Sequence, residues 1–146
     1  MLNGVKLSSE TLRPHLEVHG NSSLTGELRV SGAKNSALVL MTASLLTADR
    51  VVLNNIPQGL TDIKGMANML QSMGVSFQNK SGVVHLQADK LKYLEPSYDL
   101  VNGLRASFFC IGPLIGRLGR ARIPLPGGCR IGARPVSEHI RGLKAL

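Results

Sequence analysis

A chain of 146 residues is long enough for one domain with its own core, and with 43% hydrophobic residues, 3% aromatics and no tryptophan that core must be aliphatic. The net charge of +8 is uneven: residues 1–100 hold nine Lys/Arg against eight Asp/Glu, whereas residues 101–146 hold eight against Glu138 alone. Met1–Glu10 lacks the apolar run of a secretory leader, and the longest apolar stretch, residues 37–46 with Thr42 and Ser44 inside it, falls short of the roughly 20 residues that span a bilayer, so a soluble cytoplasmic protein is expected.

In chain order, residues 15–19 and 27–31 alternate with the period of strands, separated by the turn residues Gly20-Asn21-Ser22. Residues 33–47 are apolar on nearly every side, which predicts a helix buried by its neighbours. Val51-Val52-Leu53 reads as a strand and residues 54–60, with Pro57 and Gly59, as a loop. Apolar residues at 63, 66, 69, 70 and 73 predict a helix over 61–73, stopped by Gly74. Residues 75–77 and 83–86, joined through Lys80-Ser81-Gly82, predict a hairpin.

The second half retraces this order. Gly103-Leu104-Arg105-Ala106-Ser107 resembles Gly32-Ala33-Lys34-Asn35-Ser36 at an offset of 71 residues. Ala121-Arg122-Ile123 takes the place of the strand at 51–53, and Leu143 and Leu146 that of Leu70 and Met73. The first copy continues into a hairpin, whereas the second stops at Leu146 before any cap, so the chain is expected to be a fragment.

Three elements carry possible chemistry. Each repeat places a glycine and then a cation (Gly32 and Lys34, Gly103 and Arg105) where a helix begins, and free amides at a helix start favour an anion. The alternative is a solvated charge. The third element is the loop Leu125-Pro126-Gly127-Gly128-Cys129-Arg130-Ile131-Gly132-Ala133-Arg134-Pro135. Its glycines suit an anion nest, and neighbouring arginines favour a thiolate at Cys129 that can act as nucleophile or general acid. The alternative there is an incidental surface thiol. Cys110, among Phe108, Phe109 and Ile111, reads as buried and inert. The basic excess of residues 101–146 points to an anionic partner, either nucleic acid or a phosphorylated small molecule, or else to a solvated face. His15 and His19 lie on a strand with no third ligand, so no metal site is expected; His85 reads as structural, and His139 as a first-turn helix residue.

Residues 31–38 (Ser-Gly-Ala-Lys-Asn-Ser-Ala-Leu), residues 104–107 (Leu-Arg-Ala-Ser) and residues 126–136 (Pro-Gly-Gly-Cys-Arg-Ile-Gly-Ala-Arg-Pro-Val) resemble, in order and spacing, signatures of the UDP-N-acetylglucosamine enolpyruvyl transferase family. The resemblance runs from about Leu16 to Leu146. It implies transfer of the enolpyruvyl group of phosphoenolpyruvate to the sugar 3-hydroxyl of UDP-N-acetylglucosamine, with release of phosphate and no metal or organic cofactor. By this resemblance Cys129 is the proton donor and the residue alkylated by fosfomycin. Lys34 and Asn35 contact phosphoenolpyruvate, Arg105 and Arg134 hold substrate anions, and residues 134–138 (Arg134, Pro135, Val136, Ser137, Glu138) line the nucleotide-sugar site. Ser137 and Glu138 depart from the expected acidic and apolar pair, and Ser36 replaces a common alanine.

The implied fold class is mixed α/β: repeated βαβαββ units of an inside-out α/β barrel, the second unit truncated. Residues 1–32 would be an extended segment belonging with the other domain, and residues 33–146 a partial domain. The family's catalytic aspartate and several arginines come from its second half, so this polypeptide alone is expected to have little transferase activity and to need the C-terminal part of the same enzyme. The rival readings are a shikimate-pathway enolpyruvyl transferase, against which the Gly-Gly-Cys loop argues, and an RNA-binding α/β module. The basic region offers only Phe108 and Phe109 for base stacking, so no nucleic-acid partner and no membrane partner are expected.

Overall fold

A computed structural model describes residues 5–8, 15–20, 23–80, 82–92, 95–125 and 135–145. Backbone contacts divide the chain into two units, Met1–Val30 and Ser31–Leu146. The first holds β1 (Val5–Ser8), which composition did not suggest, and β2 (His15–Val18), paired antiparallel with Val5 opposite Val18 and Ser8 opposite His15. Residues 27–31, expected as a strand, form none. Leu24, Leu28 and Val30 are 92%, 88% and 74% exposed. Alternating side chains make a strand only when a neighbour accepts the backbone hydrogen bonds, and no described residue does so here.

The second unit begins with α1 (Lys34–Ala43), continued by the 3₁₀ turn Ser44–Leu46. One stripe of it, Ala37, Leu38, Met41, Thr42 and Leu45, is buried, while Val39 and Leu40 on the other side are about half exposed. The expectation of burial on nearly every side therefore holds on one side. β3 (Arg50–Leu53) leads through a Pro/Gly loop to α2 (Thr61–Ser72), whose Ile63, Met66, Ala67, Met69 and Leu70 face the core. The helix ends in a Schellman motif: the Val75 amide donates to the Leu70 carbonyl and the Gly74 amide to that of Gln71. Gly74 is the stop because its φ is +95° and a Cβ there would lie 2.5 Å from the Lys90 carbonyl oxygen.

β4 (Ser76–Lys80) and β5 (Val83–Gln87) then form the expected hairpin, with Lys80 opposite Val83 and Gly82 at φ +87° in the turn. β5 also pairs antiparallel with β3, so the sheet order is β3-β5-β4. Val84, Leu86 and Ala88 turn inward to meet the helices, whereas Arg50, Gln78, Lys80, His85 and Gln87 line an open cleft on the outer face.

The second half starts with a short helix α3 (Tyr98–Asn102), then a 3₁₀ segment Arg105–Cys110 that runs directly into α4 (Ile111–Leu118). The run that Lys34 opens is α-helical from its start, whereas the run that Arg105 opens begins as 3₁₀. Pro113 has no N–H to give Phe109, so the α ladder starts afresh around it and the preceding turn closes with tighter bonds. Residues 121–123, expected as a strand, join no ladder. Their alternation survives as packing: Ala121 and Ile123 lie against the core, while Arg122 points outward to Glu95 at 2.9 Å. The last described element is α5 (Ser137–Ala145), where no residue is buried.

The architecture is thus mixed α/β, with helices on one face of a small antiparallel sheet. The core contains four methionines, Met41, Met66, Met69 and Met73, all 0–1% exposed, which fill an aliphatic interior with Phe77 packed at its edge. The two halves of this unit are tied by Arg117 of α4, which donates to the carbonyls of Leu45 (3.1 Å) and Thr47 (2.7 Å) where the first helical run ends. No helix among the described residues is long and apolar enough to cross a membrane.

Candidate functional site

Lys34 and Asn35 occupy the first turn of α1, as their place after Gly32 predicted. Residue 32 must be glycine for a tertiary reason: a Cβ there would sit 2.0 Å from the carbonyl oxygen of Asn55, itself at φ +57°. Ala33 is extended (ψ 131°) and caps nothing through its side chain, and no acid stands in the first turn. The opening amides of α1 therefore have no acceptor within the helix, and the positive end of its dipole is exposed. Lys34 adds a full charge there.

Its ammonium nitrogen lies 2.6 Å from Oδ2 of Asp62, in the first turn of α2. Two helix starts, one cation and one carboxylate so meet at the surface, the side chains 46% and 36% exposed. The carboxylate satisfies the dipole of its own helix while balancing a lysine that stands at the unfavourable end of another. Lys34 keeps further N–H donors for an incoming anion.

Arg105 opens the 3₁₀ segment at the position equivalent to Lys34, half buried and engaged by its surroundings. That segment packs against α1, so the two helix-start cations stand on contacting elements. The glycines before them differ. A Cβ on Gly103 would meet nothing within 4 Å, so the tight approach belongs to Gly32 alone. Ser107 is fully buried and its hydroxyl has no hydrogen-bond partner among the described residues. Cys110 is fully buried, and burial pushes its thiol up to about 12, which makes it inert as expected.

Cys129, Arg130 and Arg134 lie outside the described residues. Of the segment after them, Pro135 is exposed and Val136 half buried, its carbonyl accepting the Ile140 amide. Ser137 opens α5. Glu138 pairs with Arg141 at 2.5 Å within the same helix, both well exposed. His139, a first-turn residue as expected, stands edge-on to Phe108 with ring centroids 5.4 Å apart. This contact joins the segment after the Cys129 loop to the helix that Arg105 begins.

Asp62 was missed by sequence reasoning. An acid in a first helical turn is an ordinary dipole partner, and nothing local relates it to a lysine 28 residues away. Arg117 was missed for a similar reason. The basic excess of residues 101–146 is partly structural: Arg117 caps carbonyls, and Arg122 and Arg141 hold Glu95 and Glu138. His85 lies on the hairpin strand β5, as read. Arg50 donates to its Nδ1 at 2.9 Å, which requires a neutral ring, and desolvation followed by the charges of Arg50 and Lys80 lowers its pKa.

Comparison with known proteins gives a consistent set of relatives. A protein named UDP-N-acetylglucosamine 1-carboxyvinyltransferase from Prochlorococcus marinus (strain MIT 9313) is 66% identical over 97% of this chain and 32% of its own length. Proteins of the same name from Synechococcus sp. (strain CC9605) and Parasynechococcus marenigrum (strain WH8102) are 60% and 62% identical over 100% and 96% of the chain, covering 34% and 32% of their own lengths. The chain spans about a third of the length of the curated relatives it matches. The family model for EPSP synthase (3-phosphoshikimate 1-carboxyvinyltransferase) matches residues 18–146, all but the first 17 positions. By this continuous match, which takes in both Lys34 and Arg105, the chain belongs to the EPSP synthase family.

Proposed function

We propose that the chain is part of an enzyme that transfers the enolpyruvyl group of phosphoenolpyruvate to the 3-hydroxyl of UDP-N-acetylglucosamine and releases phosphate. The observation that carries this reading is 60–66% identity, over nearly the whole chain, to proteins named for that reaction. The EPSP synthase family includes more than one acceptor, and it is the relatives' names that favour the nucleotide sugar over shikimate 3-phosphate.

The chemistry needs a phosphate held in place, an acid to protonate the enolpyruvyl methylene carbon, and an anchored acceptor. The first role falls to Lys34 and Asn35 in the first turn of α1, whose opening amides no side chain caps. Charge-assisted bonds of this kind contribute roughly 1.5–3 kcal/mol each when shielded from water. Cys129 supplies the proton, Arg105 and Arg134 hold anionic groups, and Pro135, Val136, Ser137 and Glu138 line the nucleotide-sugar site. In this reading Glu138 must release Arg141 to reach a ligand. The reaction proceeds by addition and elimination through a tetrahedral intermediate, in the cytoplasm, as an early step of peptidoglycan synthesis. Residues 33–146 form part of a larger inside-out barrel of repeated units, while residues 1–32 belong with its other domain.

The test is phosphate release from phosphoenolpyruvate by the protein purified from its source at native length, with each acceptor in turn. Release with UDP-N-acetylglucosamine and not with shikimate 3-phosphate, together with a fosfomycin adduct on Cys129 and none on Cys110, is the expected result. Release with shikimate 3-phosphate, or RNA binding that weakens steeply with salt and ignores the nucleotide sugar, overturns the reading.

A further inference from the structure

We propose that Asp62 is a positioning residue for the phosphate-binding lysine: it holds the Lys34 ammonium over the start of α1 so that the group's remaining N–H donors face an incoming phosphate. The proposal rests on Lys34 having the role given above, and it concerns a residue with no assigned part in the chemistry.

The reasoning is electrostatic. A lysine in the first turn of a helix stands at the positive end of the dipole and, left alone, swings its long side chain away into water. Here the nearest described anion is the Asp62 carboxylate at 2.6 Å, a short charge-assisted bond. Asp62 is well placed for this. It lies in the first turn of α2, where its own charge is favoured, and α2 packs against α1, with Ile63, Met66 and Ala67 of the one and Ala37, Leu38 and Met41 of the other buried in the same core. The carboxylate is therefore fixed to the same core as the helix that it serves. One ammonium hydrogen goes to Asp62, and two are left for a phosphate oxygen and water. The pair is about 40% exposed, so the effect is modest and is best read from affinity.

The experiment compares wild type with Asp62→Asn, Asp62→Glu, Lys34→Gln and the Lys34→Gln/Asp62→Asn double variant, in the native-length protein. Asp62→Asn is expected to raise the KM for phosphoenolpyruvate roughly two- to fivefold, the range that an exposed ion pair supports, with kcat nearly unchanged. Asp62→Glu should recover most of the loss. In the Lys34→Gln background Asp62→Asn should add nothing, because the effect runs through the lysine.

A parallel titration of the native-length protein with inorganic phosphate, followed through the backbone amides of residues 34–37, reads the same coupling without turnover. Enzyme that shows no transfer while Asp62→Asn weakens phosphate binding in this titration would sink the proposed function and leave the role of Asp62 standing. Tighter phosphate binding in Asp62→Asn would show that the carboxylate competes with the ligand, and overturns the inference. So does an Asp62→Asn effect that persists at full size without Lys34, or no phosphate binding by the native-length wild-type protein.

Discussion

Gly32 and Gly103 stand two residues before Lys34 and Arg105 in two similar stretches of sequence, and the structure predicts opposite outcomes for the same substitution at each. In Gly32→Ala the new methyl would lie 2.0 Å from the Asn55 carbonyl oxygen and 3.2 Å from its carbon, where about 3.4 Å is ordinary contact. The two backbones must separate by more than an ångström. Asn55 cannot give way easily, because it sits at φ +57° and leads directly into Ile56, which is 8% exposed and part of the core. Overpacking of this kind costs about 1–3 kcal/mol, and moving a buried isoleucine places the cost near the upper end. Gly103 ends α3 at φ −83° with open space around it, so alanine there is unstrained and gains about 0.4–1 kcal/mol from the unfolded state. The two variants should therefore differ by about 3 kcal/mol, more than a hundredfold in the folded-to-unfolded ratio. Urea unfolding followed by far-UV circular dichroism measures this without tryptophan, which the chain lacks. Equal midpoints for Gly32→Ala and Gly103→Ala would refute the reasoning.

Arg117→Met keeps the apolar stem but removes both bonds to the Leu45 and Thr47 carbonyls, and should cost about 1–3 kcal/mol in the same assay; a loss under about 0.5 kcal/mol would show that the tie between the two halves is idle. His85 has its pKa lowered below 6.5 in the folded chain, so the unfolded chain binds more protons as pH falls. Stability should be at its plateau above about pH 6.5 and decline as pH drops towards the folded value, and His85→Gln should flatten that part of the profile. Cys110, with its thiol raised to about 12, should resist iodoacetamide at pH 8 in the native chain and react once the chain is unfolded in urea. Labelling of Cys110 under native conditions would contradict its burial.

Much of the second unit was legible because its causes are local. The apolar spacing of residues 61–73 specifies α2, Gly74 specifies its end, and Gly82 with alternating neighbours specifies the hairpin. The position of Lys34 at a helix start was equally readable, since a glycine before a periodic run marks such a boundary. Cys110 could be placed in the interior from its apolar neighbours alone.

What failed was long-range. Residues 27–31 and 121–123 carry the alternation of strands, but a strand exists only where another backbone completes its hydrogen bonds, and alternation does not name that partner. The likeness of residues 103–107 to residues 32–36 was visible in the sequence, yet it could not say that Gly32 touches Asn55 while Gly103 touches nothing. Nor could it say that one arginine of a basic tail spends its charge on two carbonyls. The sequence alone determined the extent of α2 and the placing of Lys34 and Arg105 at the start of helical runs, because those are matters of neighbouring dihedrals and periodicity. Only the tertiary structure decided that Lys34 faces Asp62, because the packing of α1 on α2 closes 28 residues of separation into a single hydrogen bond.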